Sequence, residues 1–291
     1  MRRLEFLITQ VRNSTDNKDI NGISDAEIAG YFNDAQRYIT SIVFKNNPYA
    51  DLFKVQLEVP AVASGEYTLP DDCYSTNAIS MVEARFSDTS NNKGYSRIKP
   101  ISESEFSYIF GYITRDNKIL ISGQNDISQL QNIRITYFRQ LPTLAVRQGK
   151  VTSVGPTDIS LNQSPPSLAT TDDYISTVDA IGNQSTNKKF VTAILGTIPP
   201  LISLDSTTGI TTDQFVVAGY NACNKCLLPD VCETYLLDYV KQRIYTRNNY
   251  NDGEKQAYFT EKQENEILSI FSKNKKDDDT IPVTDVEFLF F

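Results

Sequence analysis

Residues 24–43 read SDAEIAGYFNDAQRYITSIV, and this stretch decides how the chain is built. Ser24, followed three residues later by Glu27, has the form of a capping box: the hydroxyl accepts a backbone N–H of the first turn and the carboxylate reaches back. Behind it Ile28, Tyr31, Phe32, Ala35, Tyr38, Ile39, Ile42 and Val43 recur at i, i+3 and i+4, the spacing of one helix face. Asn46-Asn47-Pro48 ends the helix, since proline has no N–H to donate and disfavours helical geometry before it. Toward the N-terminus, Leu4, Leu7, Ile8 and Val11 predict a short amphipathic helix ahead of a polar loop.

Beyond the proline the period changes to two. Val55, Leu57 and Val59 alternate with polar residues up to Pro60, as in a half-buried strand. Residues 65–70 and 79–86 read as further strands, and 101–106 as a short capped turn. Tyr112-Ile113-Thr114 and residues 118–121 flank Asp116-Asn117, a hairpin signal. Residues 133–138 close this block. From 146 to 214 Ser, Thr, Gly and Pro separate short apolar runs, which predicts more β structure with long turns. Helix returns near Pro229, with Val231, Tyr235, Leu236, Tyr239, Val240, Arg243 and Ile244 as its stripe, and a last helix runs through Tyr258, Ile267, Leu268 and Phe271. The expected fold is α+β. A helical domain (1–54 and 226–276) carries an inserted, mostly antiparallel β domain (55–145), a β-rich insertion or projecting subdomain (146–225) and an extended C-terminal arm (277–291).

The composition narrows the function. The chain has 291 residues, 40% of them hydrophobic, enough for one large or two modest cores. Its net charge is −8, with 36 acidic residues against 28 basic, which argues against a protein that grips nucleic acid through its phosphates. It has no histidine, so the commonest acid–base group and the Ser-His and Cys-His nucleophile pairs are excluded. No apolar stretch is long enough to span a membrane, and the start lacks the apolar core of a signal peptide. The reading is a protein that folds in a reducing cytoplasm with its four cysteines reduced.

Candidate sites are few. Cys223, Cys226 and Cys232, with Cys73, could make a four-thiolate zinc site, but a zinc signature has two paired half-sites and only one is here; buried or free thiols are the better account. The Asp71-Asp72, Asp172-Asp173 and Asp277-Asp278-Asp279 runs lack the alternate ligands and glycine of a calcium loop. Gly149-Lys150 lacks the upstream glycine of a phosphate loop. No catalytic residue, cofactor or metal is expected. Arg2, Arg3, Arg12, Arg37 and Lys45 could touch DNA phosphates or pair with acids on another subunit; the second is favoured. The arm is the most informative feature: Val283, Val286, Phe288, Leu289, Phe290 and Phe291 follow an acidic linker. Leaving four large side chains exposed costs on the order of 6–12 kcal/mol as an upper bound. It needs a cover, either a partner by strand addition or the chain's own β region, and the detachable linker favours the partner.

The order of these motifs resembles the adaptor or ring proteins at the head-to-tail connector of short-tailed, podovirus-type phages. The residues that carry it are Ile23-Ser24-Asp25-Ala26-Glu27-Ile28 into 31–39, Gly65-Glu66-Tyr67-Thr68-Leu69-Pro70-Asp71-Asp72, 100–106 followed by Gly111-Tyr112-Ile113, and 133–142. It covers about residues 1–145, and the helix near 229–247 more loosely; residues 146–225 depart from it. The Lys-, Asn-, Ile- and Tyr-rich usage also resembles that of crAss-like phages. The resemblance implies a structural virion protein, not an enzyme: a homo-oligomeric ring, usually a dodecamer, docked on the portal protein and in contact with further tail or ring proteins. DNA would pass through its lumen, and rotational closure of heterologous contacts would make the ring. Two other readings are a receptor- or glycan-binding virion protein using residues 146–225, and a hydrolase with two carboxyl groups about 5–9 Å apart.

Overall fold

The computed structural model describes residues 2–15, 22–46, 53–75, 78–86, 94–106, 108–123, 128–164, 173–196, 199–248 and 259–272. Among them the fold is α+β, with antiparallel strands outnumbering helices. The helices are α1 (Leu4–Ser14), α2 (Asp25–Asn46), α3 (Glu233–Asn248) and α4 (Glu261–Ser272). The chain divides into two compact units, Met1–Ala50 with Pro142–Phe291, and Asp51–Leu141. The helices do not stand as a domain of their own, because the first unit also holds a β-barrel.

In the first unit, α1 buries Leu4, Leu7, Ile8 and Val11, and α2 buries Ile28, Phe32, Ala35, Ile39 and Val43. Ser24 caps α2 as expected, its Oγ accepting the Glu27 N–H at 3.1 Å. The other half of the box is used differently: Glu27 Oε1 accepts from Tyr31 OH at 2.8 Å and pairs with Arg247 Nε at 3.0 Å. Asp34 lies 3.7 Å from Arg243, and Tyr38 meets Tyr239 at 6.1 Å, so α2 and α3 run antiparallel. A 3₁₀ turn (Asp230–Cys232) precedes α3, so the helix starts later than Pro229 predicts. That turn carries Val231 out of the expected stripe to 60% exposure. On α4, Thr260 and Gln263 form a reciprocal capping box, with Thr260 N–H to Gln263 Oε1 at 2.9 Å and Gln263 N–H to Thr260 Oγ1 at 3.3 Å. Phe259 then stacks flat on Tyr38 at 5.1 Å.

The barrel strands are β9 (Arg147–Val154), β10 (Asp158–Leu161), β11 (Tyr174–Val178), β12 (Gln184–Leu195), β13 (Leu201–Leu204) and β14 (Phe215–Ala218). They close in the order β10-β13-β12-β11-β14-β9 around Val151, Leu161, Ile175, Val191, Ile202 and Val216. Closure removes every free strand edge, which a sheet this small would otherwise expose. β8 (Thr143–Leu144) and β15 (Ala222–Cys223) pair in parallel, one just before the barrel in the chain and one just after it.

The second unit holds β1 (Lys54–Pro60), β2 (Glu66–Thr68), β3 (Ile79–Phe86), β4 (Ser96–Ile98), β5 (Tyr112–Arg115), β6 (Lys118–Ile121) and β7 (Leu130–Phe138). One sheet runs β1-β7-β3-β4 and the other β2-β6-β5. Tyr112 N–H to Lys99 O and Ile101 N–H to Tyr112 O, each 3.0 Å, join them. Val55, Leu57 and Val59 are the half-buried positions of β1, as their alternation predicts. Asp116 (φ 49°) and Asn117 (φ 60°) are both left-handed, as a primed hairpin turn requires. Gly111 is pressed against its neighbours: a Cβ there would stand 2.5 Å from Ile101 Cγ2 and 2.9 Å from Lys99 O.

Two glycines therefore have opposite expectations in urea unfolding. Gly111→Ala forces backbone apart and should cost about 1–3 kcal/mol. Gly30, on the exposed face of α2 with nothing within 4 Å of a new Cβ, should stabilise by about 0.5–1 kcal/mol when changed to Ala.

Candidate functional site

The polar centre of the first unit is built on the segment that follows the barrel. Asn224 is 0% exposed. Its backbone N–H donates to Gly182 O at 3.1 Å, and its C=O accepts from Leu4 N–H at 2.8 Å. Its Nδ2 donates to Glu5 Oε1 at 2.8 Å and to Ala145 O at 3.0 Å. One residue, through its backbone and its side chain, thus ties α1, the β11–β12 hairpin and the segment entering the barrel. Gly182 (φ +93°) allows this approach, since a Cβ would lie 3.2 Å from Lys225 Cβ and 3.3 Å from Asn224 C. Arg147 completes the centre, with Nη2 to Asp179 O at 3.1 Å and Ala180 O at 2.9 Å and its guanidinium 4.1 Å from the Phe215 ring. Burial pulls the pKa of Arg147 down, against the support of the Glu5 charge. Burial also pushes Asp179 up, but its bonds from Asn183, Ile181 and Gly182 outweigh that and hold its carboxyl below the usual range.

A second set of carboxamides clamps the chain where it re-enters this unit. Asn33 on α2 reads the backbone of Leu144 both ways, Nδ2 to O at 2.9 Å and Oδ1 from N–H at 2.7 Å. Gln36, one turn on, donates to Pro142 O at 3.0 Å and accepts from the Cys226 thiol at 3.2 Å. Reading the sequence for chemistry passed over Asn33, Gln36 and Asn224. Two carboxamides at i, i+3 beside an apolar stripe are the signal that could have found the first pair.

The outer face of α1 is open. Phe6 is 50% exposed beneath the Arg2 guanidinium, 4.5 Å from its ring, and Arg2 also lies 3.7 Å from Glu233. Phe6, Thr9, Gln10, Asn13 and Ser14 line a cleft of about 360 Å³. A wider, shallower cleft of about 510 Å³ lies against the charged face of α4.

The residues singled out from sequence fall as follows. Cys223, Cys226 and Cys232 gather in one buried corner, and burial pushes each thiol up to about 12. Cys73 belongs to the second unit and gives its thiol to Ser75 O at 3.3 Å. Among the described residues no group of three or more Cys, Asp or Glu is placed to hold a metal ion. Asp72 accepts the Tyr137 hydroxyl at 2.9 Å, and Lys150 sits in β9 and pairs with Asp213 at 2.6 Å. Three of the basic residues singled out in the first helices, Arg2, Arg12 and Arg37, lie beside acids of the chain. Arg12 is turned inward to Asp25 (2.6 Å) and Ile23 O (2.6 Å), and Arg37 meets Asp34 at 2.6 Å. The Lys45 side chain and the arm residues Val283, Val286, Phe288, Leu289, Phe290 and Phe291 lie outside the described residues.

Two outcomes follow. Asn224→Ala strips two bonds and leaves buried acceptors unpaired, so urea unfolding should show a loss of about 1–3 kcal/mol, with faster hydrogen exchange in the β11–β12 hairpin. Raised thiol pKa values mean little thiolate at pH 8, so iodoacetamide should modify Cys73 first and the other three only after unfolding, as peptide mass mapping would read.

Among the described residues no helix is long and apolar enough to cross a membrane. No curated protein matches the chain. A family model does, and it reaches past residue 145, where the resemblance was expected to stop, to the tip of the β11–β12 hairpin. The model, described as SU10 adaptor protein, matches residues 4–181, more than half of the chain, and the chain belongs to this family of phage head-to-tail adaptors.

Proposed function

We propose that this phage structural adaptor works as a ring of identical subunits between portal and tail, with DNA passing through its lumen. The observation that carries the reading is the family match over residues 4–181. The charge pattern supports it. With a net charge of −8, and with Arg2, Arg12 and Arg37 already beside acids of their own chain, the surface suits a conduit that DNA leaves without sticking. The arm, with Val283, Val286, Phe288, Leu289, Phe290 and Phe291, is the proposed anchor on the portal or on a neighbouring subunit, added as a strand. The order of the ring, twelve by resemblance, belongs to the same proposal.

A second reading takes the barrel as a glycan-recognition surface. It draws on Tyr174, whose ring meets Phe190 at 5.4 Å and Tyr220 at 5.6 Å, both edge-on. Those contacts hold the rings against one another more than they offer a flat face to a sugar, so the adaptor reading is preferred.

Light scattering of full-length protein and of a chain ending at Thr280, each alone and with the cognate portal, tests the proposal. Full-length protein should join the portal in a fixed ratio and the shortened chain should not. Monomers of both that ignore the portal would sink it.

A further inference from the structure

The second unit displays an apolar tip that its own fold leaves uncovered. Tyr108 is 88% exposed and Ile109 47%. A flexible loop with this composition would be unremarkable, but this tip is held from both sides. Ser102 donates its N–H (3.0 Å) and its hydroxyl (2.7 Å) to Glu105 Oε2. The Glu105 carbonyl accepts from Tyr108 N–H at 2.9 Å and Ile109 N–H at 3.0 Å. On the far side Ser122 Oγ donates to Ile109 O and accepts from Gly111 N–H at 3.1 Å, and Phe110 packs against Phe86 at 6.0 Å. An exposed aromatic–aliphatic pair whose own backbone groups are already hydrogen-bonded has the properties of a binding anchor, because less backbone entropy is left to lose on docking.

The α1 cleft has the complementary features. At about 360 Å³ it can take a tyrosine ring and an isoleucine side chain. Phe6 offers an exposed ring at one end, beside the guanidinium of Arg2. The tip carries the opposite charge, Glu103 and Glu105, within a few residues of Tyr108. Gln10 lines the cleft, and its Oε1 is shut off from solvent with no hydrogen-bond partner among the described residues. Turning that part-exposed carboxamide outward would present the acceptor to a phenol donor.

Resting on the ring reading, we infer that the occupant of the α1 cleft is a second copy of this chain, which inserts Tyr108 and Ile109 with the Tyr108 hydroxyl donating to Gln10. Two different faces of one molecule that fit each other make a head-to-tail contact, the kind that closes a ring by rotation.

The test uses the full chain carrying Cys73→Ser. Gln10→Cys and Tyr108→Cys chains are purified separately, mixed with and without cognate portal, and oxidised mildly. A linked dimer in the mixture, absent from either chain alone, is expected. In parallel, Tyr108→Ala with Ile109→Ala should keep the wild-type melting temperature and self-associate at least tenfold more weakly, with Tyr108→Phe in between. Absence of the linked dimer, or a link within one chain when both cysteines are placed together, overturns the contact. So does a double-alanine chain that assembles like wild type, or one that keeps its ring and loses only the portal. In these cases the ring reading survives if wild type assembles. If wild type assembles neither alone nor on the portal, both readings fall.

Discussion

Four hydrogen bonds converge on Asn224 and tie three separate parts of the first unit together. The side chain is fully buried and surrounded by backbone that belongs to three different parts of the chain. Its Nδ2 is paired while its Oδ1 finds no partner among the described residues, so the two Nδ2 bonds are what offset burial of the amide. Arg147 and Glu5 add charge to the same place, and Gly182, at φ +93°, supplies a close approach that a side chain would crowd. The consequence is a barrel held to a helix rather than hung from it.

The same logic recurs where the chain returns from the second unit. Asn33 imitates a strand edge, offering Leu144 one donor and one acceptor, and Gln36 holds Pro142. Carboxamides suit this task because they carry both functions without charge. Apolar packing then follows from position: the stripes of α2 and α3 meet along an antiparallel seam, and Phe259 closes it against Tyr38 and Tyr239. The second unit has its own core, Val82, Ile119, Ile133 and Ile135 among its buried residues.

For a protein that belongs to an assembly, exposed strand edges are hazardous, since they pair with any neighbour. The barrel has none. In the second unit β1 is an edge, and the bonds Arg139 N–H to Phe53 O and Ala61 N–H to Gln131 O turn its odd residues toward β7. The groups facing outward therefore belong to Lys54, Gln56, Glu58 and Pro60, two charges and a residue with no N–H to give. Generic pairing along the β1 edge is thereby disfavoured.

Local physics was legible without coordinates. The stripes of α1 and α2, the Ser24 cap, the alternation of β1 and the Asp116-Asn117 hairpin each depend on residues close in sequence, and each is present. Where a local rule had a distant competitor it failed: Glu27 answers Arg247 instead of its own cap, Arg12 turns inward to Asp25, and Val231 leaves the stripe of α3. The destinations of Asn33, Gln36 and Asn224 were invisible for the same reason, since their partners lie up to 219 residues away and a carboxamide reads alike on a surface and in a core. Periodicity and turn chemistry settled which segments are helix or strand. Closure of the barrel, and the polar centre that binds it to α1, were decided only by tertiary structure, because both are pairings between distant segments whose strength comes from burial.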